Sequence, residues 1–404
     1  MYIGGMKILT AARKGKFRTD FRQSLGMLAL LAVLPLTLRA AEPQKIAMTA
    51  DRWEIKGDVQ FLHSDGSDGP ASDIVKVAKG YALLKDFTFQ DGTIEFDTQP
   101  NGSMGAGIAF RYRDKDTYED FYLRPRPKCD QAEDCIQYAP ETKGVLLWDV
   151  YPQFQAPAPL KDDMAWDHIR MVISGKRLNI YVNGATQPTL KIGRLEGDAM
   201  EGGIFLQGPG TFANLVVTPG ATDGLSPEPE PDSTGANKRL VRNWQLSAWS
   251  TLDAGKEPAY PDMPANGWSP IEAESGGLVN ISRIEGLPTD RKTRTLAWVK
   301  TEIISDKAQT KKVDFGWVRE AWVFVNGKLV YSDKNMYMPA EARKKPDGRL
   351  SLDNGSFDLP LQAGKNEITI AVATQFYGWG IEMQLADLKG VKLAGSNGSL
   401  AARK

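Results

Sequence analysis

Apolar and polar residues alternate with a period of two along much of this chain, in short runs broken by Gly, Asn, Asp and Pro. The clearest run is 166–184, WDHIRMVISGKRLNIYVNG. Ile169, Met171 and Ile173 alternate with polar neighbours, a Ser174-Gly175 turn follows, and Leu178, Ile180 and Val182 repeat the pattern up to an Asn-Gly turn. Period-2 alternation between Gly-containing turns predicts a meander of half-buried antiparallel strands. The run 322–331, WVFVNGKLVY, repeats the device, and its Asn326-Gly327 pair suits the two positive φ values of a type I′ turn. Two β domains are expected, each holding such a hairpin.

The same pattern predicts further strands in order. In the first domain they fall near 53–61, 74–77, 81–84, 93–99, 107–113 and 119–124. In the second they fall near 244–249, 296–303, 311–317, 321–325, 328–331, 355–359, 367–374 and 381–385. Between the two sets, TPGATDGLSPEPEPDSTGANK has four prolines and almost no large apolar residue, the composition of a stiff, extended linker. The predicted fold class is therefore all-β, two β-sandwich (jelly-roll) domains joined by a Pro/Glu-rich linker. The expected boundaries are 46–219 for the first sandwich, 220–238 for the linker and 239–394 for the second. A small, polar tail at 395–404 is expected to be disordered.

Composition agrees with this class and narrows the partners. The 404 residues include 39 Gly and 24 Pro, which suit a turn-rich β protein. Fifty basic residues balance 50 acidic ones, and no basic block with interleaved aromatics stands in the mature region, so no nucleic acid is expected as a partner. Residues 1–41 read as a signal peptide: Arg13, Lys14, Lys16, Arg18 and Arg22 precede an apolar run at 25–38, and small residues follow at Ala40-Ala41. The run is about 14 residues, short of the roughly 20 that span a bilayer, so no membrane span is expected after processing. The protein is expected in the periplasm or secreted, and either Met1 or Met6 is the start.

Few residues are available for the usual catalytic or metal chemistries. Cys129 and Cys135 lie in a polar stretch, and in an exported chain this even count at short spacing favours a local disulfide worth on the order of 2 kcal/mol. The two histidines, His63 and His168, have no second ligand at a metal spacing, and no G-x-S-x-G elbow accompanies them. The loop HSDGSDGPASD offers Asp65, Asp68 and Asp73 for calcium but lacks the EF-hand spacing, so it is read as a solvated loop. No cofactor and no metal are expected.

The strands 93–99, 107–113 and 119–124 carry the candidate chemistry. Alternation sends Ile94, Phe96, Ile108, Phe110, Tyr112, Phe121 and Leu123 to the core and leaves Glu95, Asp97, Arg111, Arg113, Tyr122 and Arg124 on the other face. A hairpin at PNGSMG would set Glu95 opposite Arg111, and one at DKDT would bring Arg111 beside Tyr122. Planar donors, carboxylates and a ring on one face suit the hydroxyls and C–H face of a sugar. Ordinary cross-strand ion pairs, each worth roughly 0.2 to 1 kcal/mol, account for the same charges without any ligand. Glu95 and Asp97, with carboxyls about 6 to 7 Å apart, also form a candidate catalytic pair, although an adjacent Arg111 would hold both ionised.

The run TIEFDTQ…GAGIAFRYRDKDTYEDFYLRPR, with CIQYAP, GVLLWDV, WDHIRMVISGKRLNIYVNG, GGIFLQ and FANLVV, resembles concanavalin A-like (laminin-G-type) sandwiches. It is most similar to the group holding the 3-keto-disaccharide hydrolase-like domain and the fructan-binding module beside exo-inulinases and levanases. Gly107 to Arg111 and Tyr118 to Pro125 match that group's G-I-x-F-R and Y-x-x-F-Y-x-R-P segments. The E-x-D-x-x-E signature of the laminarinase-like enzymes is not met, because Pro100 stands where its second Glu belongs. In the second domain, FVNGKLVYSD, FDLPLQAGKNEITIAV and FYGWGIEMQL resemble the galactose-binding-like jelly roll. Its long polar loop 332–349 carries Tyr337, and the next loop carries Tyr377 and Trp379 as candidate sugar platforms, with core packing as the competing role for Trp379.

Three functions follow. The favoured one is an exported carbohydrate-binding protein, lectin-like or accessory to polysaccharide breakdown, gripping an oligo- or polysaccharide through Arg111, Tyr122, Arg124 and Trp148. The first alternative is a glycoside hydrolase using Glu95 and Asp97. The second is a non-catalytic scaffold with no sugar ligand, whose signature would be the burial of Tyr122, Tyr337 and Trp379 together.

Overall fold

The computed structural model describes residues 42–67, 69–102, 105–161, 165–287 and 293–395. The leader, Asp68 of the Asp-rich loop and the last nine residues of the tail lie outside them. The described chain is nearly all β, as the alternation predicts.

The principal N-terminal strands are β1 (Trp53–His63), β2 (Asp73–Leu84), β3 (Gly92–Pro100), β4 (Ala106–Asp114), β5 (Thr117–Leu123), β6 (Ile136–Thr142), β7 (Asp167–Ser174), β8 (Arg177–Val182), β9 (Gly203–Gln207) and β10 (Gly210–Pro219). They form one antiparallel sheet whose central order is β8-β7-β3-β10-β2-β9-β4-β5-β6, with β1 on β2. The principal C-terminal strands are β11 (Thr295–Ser305), β12 (Gln309–Trp317), β13 (Arg319–Val325), β14 (Lys328–Asn335), β15 (Gly355–Leu361), β16 (Gly364–Thr374) and β17 (Gly380–Leu385). They divide into a sheet containing β11-β16-β13-β14 and a second containing β17-β12-β15.

Both hairpins form as read. Ile169, Met171 and Ile173 pair with Val182, Ile180 and Leu178, and all six are buried. Val325 pairs with Lys328, and the intervening Asn326 and Gly327 have φ of 49° and 81°, the backbone a type I′ turn requires. The two strands expected at 74–77 and 81–84 are one strand, β2, in which Ala78 is an extra residue opposite the Asp58–Val59 step of β1 and Gly80 (φ 85°) pairs with Gly57.

Two expectations on the candidate face are corrected. First, β3 and β4 are not neighbours, because β10, β2 and β9 lie between them. Ser103 and Met104 of PNGSMG lie outside the described residues, and Glu95 faces Arg170 and Val216 instead of Arg111. Second, the alternation slips inside β4. Arg111 sits at φ 53° in a bulge between Phe110 and Asp114, and a one-residue slip exchanges the two faces of a strand. Arg111 therefore turns inward and Tyr112, assigned to the core, turns outward to half-burial.

The Pro/Glu-rich segment 220–238 is fastened to the N-terminal sheet. Lys176 N donates to Pro227 O at 2.9 Å, Glu230 N to Gly193 O at 2.7 Å, and Arg194 Nη2 to Glu230 O at 2.9 Å. Proline has no N–H to offer a neighbouring strand, and the segment's carbonyls accept instead from the Lys176 amide at Pro227 and from Arg177 and Arg194 at Glu228 and Glu230.

Candidate functional site

Strand β5 builds the floor of the site. Period-2 geometry puts Glu119, Phe121 and Leu123 in the core and Tyr118, Asp120 and Tyr122 on the opposite face. The neighbouring β6 sets Glu141, Ala139 and Gln137 across from those three. On the other side Gly107 of β4 faces Tyr122, where a Cβ would lie 2.7 Å from the Tyr122 Cβ and 2.4 Å from Phe121 O. Only glycine lets the two strands approach closely enough for the Tyr122 ring to lie against the sheet.

A chain of hydrogen bonds fixes the upper edge. Tyr122 Oη donates to Gln137 Oε1 at 3.0 Å, and Gln137 Nε2 donates to Trp148 O at 2.8 Å. Arg124 Nη2 donates to Tyr122 Oη at 2.9 Å, and the guanidinium lies 5.0 Å from the Tyr122 ring and 5.2 Å from the Trp148 ring. Cys129 and Cys135 are disulfide-bonded, which closes the loop carrying Asp134. The Asp134 carboxyl sits between Arg124, Arg126 and Arg349. Partial burial raises its pKa, but these arginines outweigh burial and hold it below the ordinary value.

The C-terminal loops supply the opposite wall. Tyr337 meets the Trp148 ring edge-on at 4.9 Å, and Tyr377 does so at 5.7 Å. The residue after Trp148 holds these loops in place: Asp149 is buried, pairs with Arg319, accepts from Gly378 N at 3.0 Å through its carboxyl and accepts from Leu350 N through its backbone carbonyl. Burial pushes the Asp149 carboxyl up to about 6, against the pull of Arg319. Gly378 N is bonded to this carboxyl, and the adjacent Tyr377 has a φ of 60° that turns it to the cleft. Arg343 covers the Tyr337 ring at 4.5 Å.

Together these walls enclose a cleft of about 630 Å³. That is the size of ordinary small-ligand sites. Trp148, Tyr122, Tyr337 and Tyr377 form its aromatic lining, and Arg124, Arg343, Asp120, Glu141 and Gln207 its polar one. Among the described residues, no cation pairs with Asp120. Burial drives its pKa up to about 7, against Gln207, whose Nε2 donates to both carboxyl oxygens at 2.7 Å, and the Phe121 amide.

The structure thus gathers Tyr122, Arg124, Trp148, Tyr337 and Tyr377 into one cleft, although they are drawn from four separate parts of the chain. It moves the other two candidate binding residues away. Arg111 is 0 % exposed, with Nε on Gln90 O at 3.0 Å and Nη2 on Asp91 Oδ1 at 2.9 Å and Gly175 O at 2.8 Å, so it ties β4 to the β7–β8 turn. Trp379 is also 0 % exposed, its Nε1 donates to Gly286 O at 3.2 Å, and it closes the end of the C-terminal sandwich. A tryptophan flanked by Gly378 and Gly380 has bare backbone on both sides, and here that lets the ring pack inward.

Glu95 and Asp97 share a face, as alternation demands, but they are outside the cleft. Asp97 accepts from His168 Nδ1 at 2.8 Å and Asn214 Nδ2 at 2.7 Å, and Glu95 has Arg170 at 3.7 Å and His168 at 3.9 Å. Partial burial pushes the Asp97 carboxyl up, but the bonds from His168 and Asn214 overcome it and leave it below the ordinary value. The same bond raises His168. This is a paired, solvated face whose carboxylate stays ionised.

Among the described residues, no group of three or more His, Cys, Asp or Glu is placed to hold a metal ion, and no helix is long and apolar enough to cross a membrane. In the Asp-rich loop, the Asp65 carboxylate accepts from Ser67 N and Asp73 bonds His63.

Sequence reasoning missed Tyr118, Asp120, Glu141, Gln207, Met338, Arg343 and Phe376 in the cleft wall. Asp120 was within reach, since it shares parity with Tyr122 and Arg124.

No family model and no curated protein matches the chain. Among solved structures, the carbohydrate-binding module CBM66 of Bacillus subtilis aligns at 15% identity over 40% of this chain and 89% of its own, with a TM-score of 0.26. A Bacillus subtilis protein with a galectin-like fold aligns at 14% over 44% and 98%, with a TM-score of 0.28. Domain 4 of an extracellular arabinanase from Geobacillus stearothermophilus, solved with arabinotriose, aligns at 10% over 45% and 83%, with a TM-score of 0.28. Likenesses this distant assign no site and no ligand to this chain.

Proposed function

We propose that this is an exported carbohydrate-binding protein whose glycan sits in the cleft between the N-terminal sheet and the C-terminal loops. The observation that carries the reading is the convergence of the Trp148, Tyr337 and Tyr377 rings with Arg124, Arg343, Asp120 and Glu141 in one volume of about 630 Å³. Rings offer apolar faces to the C–H side of a sugar, while guanidinium and carboxyl groups donate to and accept from its hydroxyls. The basic and apolar leader and the disulfide support export to the periplasm or beyond. The concanavalin A-like and galactose-binding-like kinships belong to the same reading.

Burial of Tyr122, Tyr337 and Trp379 together would support the scaffold reading. Tyr122 is 5 % exposed and Trp379 is in the core, but Tyr337 remains half-buried at the cleft wall.

One observation favours a second reading, glycoside hydrolysis. Asp120, lifted to about 7, holds a proton near neutral pH in the cleft, and Glu141 stands diagonally across the β5–β6 pair on the same face. A general acid and a second carboxyl are what glycosidases use. This moves the candidate chemistry from Glu95 and Asp97 to Asp120 and Glu141.

Incubation of residues 42–404 with fructans, β-glucans and keto-sugar disaccharides tests both readings. Depletion of the protein without new sugars, weakened by Trp148→Ala, is the expected outcome. New small sugars, lost on Asp120→Asn while binding persists, would establish the enzyme. Neither effect on any polysaccharide would refute both.

A further inference from the structure

The outer face of the N-terminal sheet does not become polar where the cleft ends. Tyr118 of β5 lines the cleft, and its ring lies 5.1 Å from Phe205 of β9 and 6.1 Å from Tyr112 of β4. Phe205 lies 5.0 Å from Tyr81 of β2 and 5.4 Å from Tyr112. These strands are consecutive in the sheet, β2-β9-β4-β5, so the rings run across it in a continuous row. Three steps at the usual inter-strand spacing make the row about 14 Å long.

Several features distinguish this row from core packing. Tyr81, Tyr112 and Tyr118 are half-buried on the outward face, while Ala82, Leu84, Phe110 and Phe121 fill the core from the other side of the same strands. Tyr112 reaches the row only because the bulge at Arg111 reverses the parity of β4. Lys56 Nζ stands 5.9 Å from the Tyr81 ring at the far end, a donor at the margin. Gln207 lies two residues after Phe205 on the same face, and its bond to Asp120 joins the row to the polar wall of the cleft.

We infer that the row Tyr118, Tyr112, Phe205 and Tyr81 is an extension of the cleft that takes further sugar units of the same chain, so the ligand is a polymer or long oligosaccharide bound across the sheet. The inference rests on the carbohydrate reading of the cleft and adds its ligand class. Phe205 is buried beneath the three tyrosines and fixes their rings, and the half-exposed Tyr81, Tyr112 and Tyr118 offer successive apolar faces to successive sugar rings, with their hydroxyls and Lys56 offering hydrogen bonds at the edges.

The test is calorimetric titration with inulin-, levan- and β-glucan-derived oligosaccharides graded from disaccharide to octasaccharide. Affinity should rise with chain length, by about tenfold or more between the shortest and longest ligands of the series that binds. The double variant Tyr81→Ala, Tyr112→Ala should bind the shortest ligand as the parent does and lose the advantage of the longer ones. Tyr81→Phe, Tyr112→Phe keeps the rings and should retain most of it, which separates stacking from any effect of the alanines on folding. Equal affinity for all lengths, with Trp148→Ala still abolishing binding, overturns the track and leaves the cleft. A length advantage untouched in the double alanine variant also overturns it. Absence of binding at every length removes cleft and track together.

Discussion

Two patches on the outer side of the N-terminal sheet carry carboxylates beside basic or aromatic groups, and they differ in what covers them. Glu95, Asp97, His168 and Arg170 stand on open strands, each charge has an opposite charge within reach, and the Asp97 carboxyl is held ionised. Asp120, Tyr122 and Arg124 stand on β5 and just beyond it, where Trp148 and the C-terminal loops close over them and Asp120 is driven towards neutrality. The residue types are similar, and the covering is the difference. Water on the open face screens its ion pairs to a few tenths of a kcal/mol, whereas its exclusion from the cleft makes each ring and each donor count for more. Charge and aromaticity on a sheet thus become a site only where a second wall removes the solvent.

The sharpest way to break this comparison is to remove the centre of the covered face. Trp148→Ala should weaken glycan binding by about 2 kcal/mol or more, roughly thirtyfold, while Glu95→Gln and Asp97→Asn leave the isotherm unchanged. An equal loss from both faces would end the distinction. Stability rather than binding should respond at Arg111. Its alanine variant strands the Asp91 carboxylate and two carbonyls, and it should unfold with about 3 kcal/mol less stability in urea while the folded fraction binds normally.

The two carboxyls should also titrate in opposite senses. The folded pKa of Asp120 lies above its ordinary 3.8, so its contribution to stability is complete below that value and is lost as pH rises through about 7. Asp120→Asn should flatten that decline, as followed by urea midpoints across the interval. Asp97 lies below its ordinary value, so its contribution is present above 3.8 and is lost as pH falls through the lowered pKa. It is half-exposed, and Asp97→Asn should shift the acid limb by less than about 1 kcal/mol.

Much of the fold was legible because the alternation is regular where one face is buried. The strands of the C-terminal sheets and both hairpins fall where the pattern puts them, and Asn326-Gly327 names its own turn. Arg111 was misplaced because a bulge is a backbone event with no residue that announces it. The parity rule applied through β4 gives the wrong face for Arg111 and Tyr112. Trp379 was ambiguous because flanking glycines suit a loop platform and a packed core alike. The gathering of Trp148 with Tyr337 and Tyr377 was not legible at all. It depends on Asp149 reaching Arg319 and Gly378, contacts between residues far apart in sequence that no local pattern encodes.

Amide hydrogen exchange with and without a saturating oligosaccharide reports directly on which face the ligand covers. Slower exchange on binding is predicted in 118–124, 146–149, 337–343 and 376–378, with 93–99 and 167–171 unchanged. Protection confined to 93–99 and 167–171 would place the ligand on the open face and contradict the account.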